Sequence, residues 1–164
     1  MLRNFVTYCS TLACLSGISL AEQTYEDHGF SFQHGDSERV TVTGEKIKTI
    51  RIEGPGNSLF MVQNYGKSVT PEKLRNDMTS SLLKQFENDA IELTHKSASR
   101  ALLGEPRSGH YILFTKHSIP SESLLFTFEK NGDTICVITQ MALQHSRDAE
   151  RMFATIQKSL SIIK

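Results

Sequence analysis

The sequence has no excess charge of either sign. Its 164 residues carry 18 basic and 18 acidic side chains, so the formal net charge is zero. Proteins that bind nucleic acid through the phosphate backbone usually show a basic excess. The balanced charge therefore argues against a nucleic-acid partner. With 38% hydrophobic and 22% charged residues, the composition is that of a soluble globular protein and not of a disordered one.

Long uninterrupted hydrophobic runs are also missing. The most apolar stretch follows Arg3 and is diluted by Thr, Ser, Tyr, Cys and Gly, whereas a membrane-spanning helix needs about 20 strongly apolar residues. The stretch ends in small residues and is followed by polar ones, as in a signal peptide. We predict that residues 1–21 are a signal peptide cleaved between Ala21 and Glu22. The rest, residues 22–164, is predicted to be one periplasmic or secreted domain without a membrane span.

Cysteine is scarce, and this bears on both disulfides and catalysis. Two of the three cysteines lie in the predicted leader, where Thr11 stands in place of the leucine expected before a lipidated Cys14. The remaining cysteine, Cys136, lies in the apolar run NGDTICVITQ. A nucleophilic thiol needs exposure and a lowered pKa, and free cysteine is among the most buried residue types. We therefore expect no intramolecular disulfide and predict that Cys136 is a core residue.

Alternating apolar residues predict mainly β-strands. The predicted strands are GFSFQ, ERVTVTG, KIKTIRIEG, SLFMVQNY, GHYILFTKH, ESLLFTFEKN and DTICVITQMAL, with a weaker candidate in IELTHKSASRALLG. Turn residues at 54–57 and at Asn131-Gly132 predict two hairpins. The last strand is apolar on both sides, which indicates that both faces of the sheet are covered.

Two amphipathic helices can provide that cover. The first is predicted to begin after Thr70, a capping residue, with Pro71 in its first turn. Its apolar stripe consists of Leu74, Met78, Leu82, Leu83 and Phe86, and Lys73, Asp77, Lys84 and Glu87 are expected to face solvent. The second is predicted to begin near Ser146 as its cap, with a buried face of Ala149, Met152, Phe153, Ile156 and Leu160. The fold class is α+β, with a mainly antiparallel sheet flanked by helices.

No catalytic or metal-binding pattern emerges from the residue spacing. His28 and His34 bracket the first predicted strand and would lie roughly 20 Å apart, too far to bind one ion. The other histidines, His95, His110, His117 and His145, have no partner at ligand spacing. The RSGH segment places Ser108 near His110 without the strained turn of a nucleophile elbow. We therefore expect no metal, no cofactor and no catalytic residue.

The closing segment, GHYILFTKHSIPSESLLFTFEKNGDTICVITQMALQHSRDAERMFATIQKSLSI, resembles the C-terminal half of the PsbP-like superfamily. That fold is shared by the photosystem extrinsic subunit PsbP, a yeast Ran-binding import factor and many exported bacterial proteins. GFSF, a hairpin and TPEKLRNDMTSSLLKQF extend the resemblance over roughly residues 25–163. Many bacterial members carry Pro and Trp after the first strand, whereas HGDSER follows here. The resemblance implies a scaffold for docking and transfers no functional residue.

Three functional hypotheses follow. The first is a non-enzymatic exported module that binds a protein or a component of the cell envelope. The second is a small-ligand or metal binder that uses a cleft between helix and sheet. An apolar cavity with convergent polar groups would support this hypothesis. The third is a hydrolase with a scattered site. A histidine within hydrogen-bond reach of Cys136 or Ser108 would support this hypothesis.

Overall fold

The computed structural model describes residues 22–89 and 93–163, which form two α-helices and ten strands. The strands are β1 (Glu22–Asp27), β2 (Phe30–Gly35), β3 (Arg39–Thr43), β4 (Thr49–Gly54), β5 (Ser58–Asn64), β6 (Leu93–Leu102), β7 (Glu105–Lys116), β8 (Ile119–Lys130), β9 (Asp133–Ala142) and β10 (Ser161–Ile162). The helices are α1 (Pro71–Asp89) and α2 (Ser146–Ser159). The predicted leader, residues 1–21, lies outside the described residues.

Seven strands form one antiparallel sheet, the main sheet, in the order β3-β4-β5-β9-β8-β7-β6. Strand β9 lies in its middle, between β5 and β8. From Thr134 to Thr139 every residue of β9 is buried, on whichever face its side chain lies. The prediction of a strand covered on both sides is confirmed, and so is the α+β fold class.

Local turn chemistry sets the hairpins of this sheet. Asn131 (φ 56°) and Gly132 (φ 83°) connect β8 to β9 in the left-handed conformation that a two-residue turn requires. Strands β4 and β5 are joined through a short 3₁₀ turn at Pro55–Asn57. Both predicted hairpins are confirmed. Another two-residue turn, at His117 (φ 50°) and Ser118 (φ 64°), links β7 to β8.

Helix α1 covers one face of the main sheet. Thr70 Oγ1 accepts a hydrogen bond of 3.3 Å from the Lys73 N–H, which confirms the predicted cap. Leu74 packs in a cluster with Leu125, Cys136 and Ile138. Towards the end of the helix the Phe86 ring stacks on Phe114 at 4.2 Å between centroids. Lys73, Asp77, Lys84 and Glu87 are exposed, as predicted.

The opposite face is covered by α2 together with a second, three-stranded sheet of order β1-β2-β10. Ala149, Met152, Phe153 and Ile156 form the buried side of α2, and Leu160 is buried directly after the helix. Phe30 and Phe32 of β2 are buried in the same core cluster. The Ser159 hydroxyl accepts a hydrogen bond of 2.8 Å from the Gln33 N–H, which ties α2 to this sheet.

The second sheet contains a strand that the sequence pattern did not indicate. Residues 22–27, before the first predicted strand, form β1, which pairs with all of β2. Five of its six residues are exposed, so the strand carries no apolar alternation by which it could be recognised. At the other end, Ser146 is the first residue of α2 and not its cap, because His145 occupies that position.

Candidate functional site

The long edge strand β6 is the least covered part of the main sheet. It pairs with β7 through ten consecutive residue pairs, from Leu93 opposite Phe114 to Leu102 opposite Glu105. No strand among residues 22–89 and 93–163 pairs with its other side. Seven of its ten side chains are exposed. Strands β6 and β7 together form the outer wing of the sheet.

Two exposed cations lie along one face of the outer wing. Lys96 is opposite Tyr111 and Arg100 is opposite Arg107, and pairs of this kind share a face of the sheet. The Lys96 Nζ atom lies 5.3 Å from the centre of the Tyr111 ring, within reach of a cation–π contact. Strand β6 has no aspartate or glutamate, so its edge is positively charged.

The side chains next to these cations are held in place. Arg107 has 14% of its side chain exposed, lies 4.6 Å above the Phe128 ring and forms an ion pair with Glu105. The Tyr111 hydroxyl donates a hydrogen bond of 3.0 Å to Glu122 Oε2. Burial raises the pKa of Tyr111, and the hydrogen bond to Glu122 adds to the shift. The face of the wing thus combines a fixed aromatic ring with two exposed cations.

A cleft of about 300 Å³ separates this face from α2. It is lined by Arg100, Glu122, Leu124, Thr139, Met141, Glu150, Phe153, Ala154 and Gln157. Its lining combines one cation and two carboxylates with apolar side chains. This is a helix–sheet cleft of the kind that the second hypothesis requires, and Arg100 of the outer wing lines it. A larger cleft, of about 580 Å³, lies between α2 and the strands β1 and β2.

Between α1 and the sheet, three buried polar side-chain atoms have no hydrogen-bond partner. They are Nδ1 of His110 on β7, Oγ1 of Thr79 on α1 and Oγ of Ser123 on β8. Burial lowers the pKa of His110, and the nearby positive charge of Arg75 and His95 lowers it further. His110 is therefore favoured in its neutral form. Because its Nδ1 atom makes no hydrogen bond, that atom is not engaged with Ser108, which is exposed two residues away.

No family model and no curated protein matches the chain. Among solved structures, the chain is similar to cyanobacterial PsbP (CyanoP) from Synechocystis sp. PCC 6803, with a TM-score of 0.52 and 11% identity. The match covers 96% of this chain and 98% of CyanoP. The fold is PsbP-like. A protein of unknown function, PA94 from Pseudomonas aeruginosa, also matches, with a TM-score of 0.43, 11% identity and coverage of 81% of this chain and 91% of PA94.

In this PsbP-like fold Cys136 is part of the core. The residue is 1% exposed and packs with Leu74, Leu125 and Ile138. Burial raises the pKa of its thiol to about 12, so the thiolate is disfavoured at neutral pH. The structural interpretation of Cys136 is confirmed.

The histidines are dispersed over the PsbP-like fold. His28 lies in the β1–β2 turn (φ 53°) and not on a strand, with Nδ1 2.9 Å from Asp27 Oδ2. His34 is buried in β2, and its Nδ1 lies 3.0 Å from the Gly35 carbonyl oxygen. His95 and His110 lie on the outer wing, His117 in the β7–β8 turn, and His145 directly before α2. Within the described ranges, no three His, Cys, Asp or Glu residues are grouped to hold a metal ion.

Sequence reasoning gave no role to the residues that make the outer wing and its β8 neighbour distinctive, namely Lys96, Arg100, Arg107, Tyr111 and Glu122. For β6 the signal was the weak candidate strand IELTHKSASRALLG, whose first two residues lie outside the described residues. In the part of the chain that the structure covers, neither helix has the length and apolar character needed to cross a membrane.

Proposed function

We propose that the chain is an exported, non-enzymatic module that binds a protein partner in the cell envelope, and that the outer wing is its binding surface. The main support for this proposal is the free edge of β6. It leaves ten residues of regular strand with one hydrogen-bonded neighbour, in a sheet that is otherwise covered on both faces. Natural sheets usually shorten, cover or charge such an edge. β6 is neither short nor covered, and its positive charges leave it open to a partner of the opposite charge.

The composition of the outer wing supports a protein partner. Tyr and Arg are enriched at protein interfaces, where they supply contact area and directed hydrogen bonds. Here Tyr111 is fixed by Glu122, and Arg107 is fixed by Phe128 and Glu105. Preorganised side chains of this kind lose little conformational entropy on binding.

A small-ligand site receives less support from the cleft beside α2. Its volume of about 300 Å³ is at the lower limit of typical ligand pockets. The lining includes the carboxylates of Glu122 on β8 and Glu150 on α2. A cleft of that size suits a single side chain of a bound protein, so it fits the proposed interface as an extension of the outer wing.

Enzymatic use of the one candidate thiol is disfavoured by its environment. Cys136 lies beneath α1, and the raised pKa of its thiol keeps it protonated. A thiol nucleophile needs the opposite conditions. The hydrolase hypothesis would then depend on Ser108, whose neighbour His110 leaves its Nδ1 unpaired.

Site-specific photo-crosslinking in intact cells of the source organism tests the proposed surface. A crosslinking side chain at Arg100 in β6 is expected to give one adduct of defined mass in the envelope fraction. The same group at Thr43, an exposed residue on the opposite edge strand β3, provides the matched control. Adducts at neither position, or the same adducts at both, would contradict the outer wing as the binding surface.

Export is tested separately by intact-mass measurement of protein recovered outside the cytoplasm. The proposal expects a mass that begins at Glu22. A retained leader, or a lipid on Cys14, would contradict the proposed cleavage.

A further inference from the structure

The β6 edge indicates how a partner binds. Alternate residues of an antiparallel strand direct their N–H and C=O groups to one neighbour, and the residues between direct theirs to the other side. With β7 on one side, about five residues of β6 present these groups outward. β6 itself contains no bulge or proline that would interrupt this row, and the proline of the register, Pro106, lies on β7. The edge can therefore accept an additional antiparallel or parallel strand along its length.

The charges on β6 determine which partner strands can pair with it favourably. Lys96 and Arg100 stand on the same face four residues apart, and neither forms an ion pair with another described residue. The nearest fixed cation on that face, Arg107, is already neutralised by Glu105. An incoming strand that carries Asp or Glu opposite Lys96 and Arg100 would gain two cross-strand ion pairs.

The same charges disfavour pairing between two copies of the chain. In a two-fold antiparallel arrangement centred on Ala98, Lys96 of one copy lies opposite Arg100 of the other, twice in each dimer. Like charges directly opposite one another destabilise a sheet. Exposed cations on an edge strand are a known means of preventing self-association.

We infer that the outer wing binds an extended, acidic segment of its partner protein by strand addition to β6, with acidic side chains paired to Lys96 and Arg100. This inference rests on the proposed function, because it specifies the partner of the surface proposed there. A bound strand would lie beside the pair formed by Lys96 and Tyr111. Its side chains near Arg100 would also lie close to the cleft, because Arg100 lines that cleft.

Titration of the purified full chain with a synthetic peptide tests the inference. The probe is a decapeptide in which Glu alternates with Thr, followed by the amide NMR signals of the protein. We expect the largest shift changes in β6, slower hydrogen exchange of its outward N–H groups, and affinity that falls with salt. One control peptide has Lys in place of every Glu, and a second has Pro in place of two threonines, which removes strand hydrogen bonds.

Charge reversal supplies the matched protein variants. Lys96→Glu with Arg100→Glu is expected to weaken binding of the acidic peptide by about tenfold, because two cross-strand pairs become repulsive. It should also improve binding of the Lys peptide. Lys46→Glu with Lys84→Glu changes the net charge equally at two exposed positions away from the wing and should alter neither affinity.

Equal binding of the acidic and Lys peptides, shift changes confined to other strands, dimerisation through β6, or no change at millimolar peptide would each overturn the inference. The proposed function is judged independently by the adduct at Arg100. A crosslinked adduct at Arg100 without peptide binding at β6 would support the outer wing as the binding surface and contradict strand addition.

Discussion

Substitution of Gly109 by alanine tests how the outer wing is joined to the rest of the sheet. Gly109 is buried in β7, opposite Phe126 of β8. A Cβ atom at this position would lie 2.5 Å from the Phe126 ring and closer still to the Leu125 carbonyl oxygen. The ring can turn, but the carbonyl belongs to the neighbouring strand, so alanine would force β7 and β8 apart.

The expected cost is moderate and measurable. Overpacking of a buried site destabilises the folded protein by about 1–3 kcal/mol. Alanine also restricts the unfolded chain more than glycine does, which stabilises the folded protein by about 0.4–1 kcal/mol. We expect a net loss of about 1–2 kcal/mol, which corresponds to a fall in Tm of roughly 2–8 °C for a chain of this length.

Urea unfolding followed by far-UV circular dichroism is the suitable assay, since the chain has no tryptophan for fluorescence. Ser108→Ala, at the adjacent exposed position, is the control and should change stability by less than about 0.5 kcal/mol. Hydrogen exchange of the β7 amides should accelerate in Gly109→Ala. If Gly109→Ala unfolds at the wild-type urea concentration with unchanged exchange, the close approach of β7 and β8 is not the constraint inferred here.

Further predictions concern the core and pH. Cys136→Ala should lose about 1 kcal/mol through a small cavity and Cys136→Ser should lose more by burying a hydroxyl; rapid labelling of the native thiol by a bulky reagent would contradict its burial. Met78→Asp brings a carboxylate against the Leu125 cluster and should unfold the protein or nearly so, whereas Lys84→Glu should be close to neutral in the same thermal melts. Burial lowers the pKa of His110, so the unfolded chain binds the proton more readily than the folded protein. The free energy of unfolding should therefore fall as the pH drops below about 6.5. His110→Asn should flatten this pH dependence, and an identical pH profile for both proteins would contradict the prediction.

The parts of the fold that local chemistry determines could be predicted from the sequence. Asn131-Gly132 specifies its hairpin because few other residue pairs adopt positive φ at both positions. The stripe from Leu74 to Phe86 specifies the buried side of α1 by its period alone. β9 could be recognised as doubly covered because both of its faces are apolar.

The parts that depend on long-range pairing could not be predicted. β1 is polar on both faces and is identified as a strand only by its partner β2. β6 is exposed along most of its length, so it has no alternation to mark it. The outer wing exists because register places Lys96 beside Tyr111 and Arg100 beside Arg107, and no local pattern records which residues of two strands become neighbours.

The short strand β10 has a consequence for the order of folding during synthesis. Residues 161 and 162 pair with β2, and the Ile163 N–H donates a hydrogen bond of 3.0 Å to the Gly29 carbonyl oxygen. β2 therefore obtains its second neighbour only after residues 161 and 162 have left the ribosome. Until α2 and β10 have both been synthesised, Phe30 and Phe32 lack the groups that bury them. Two aromatic rings of an early strand thus stay accessible to chaperones during most of the synthesis of this domain.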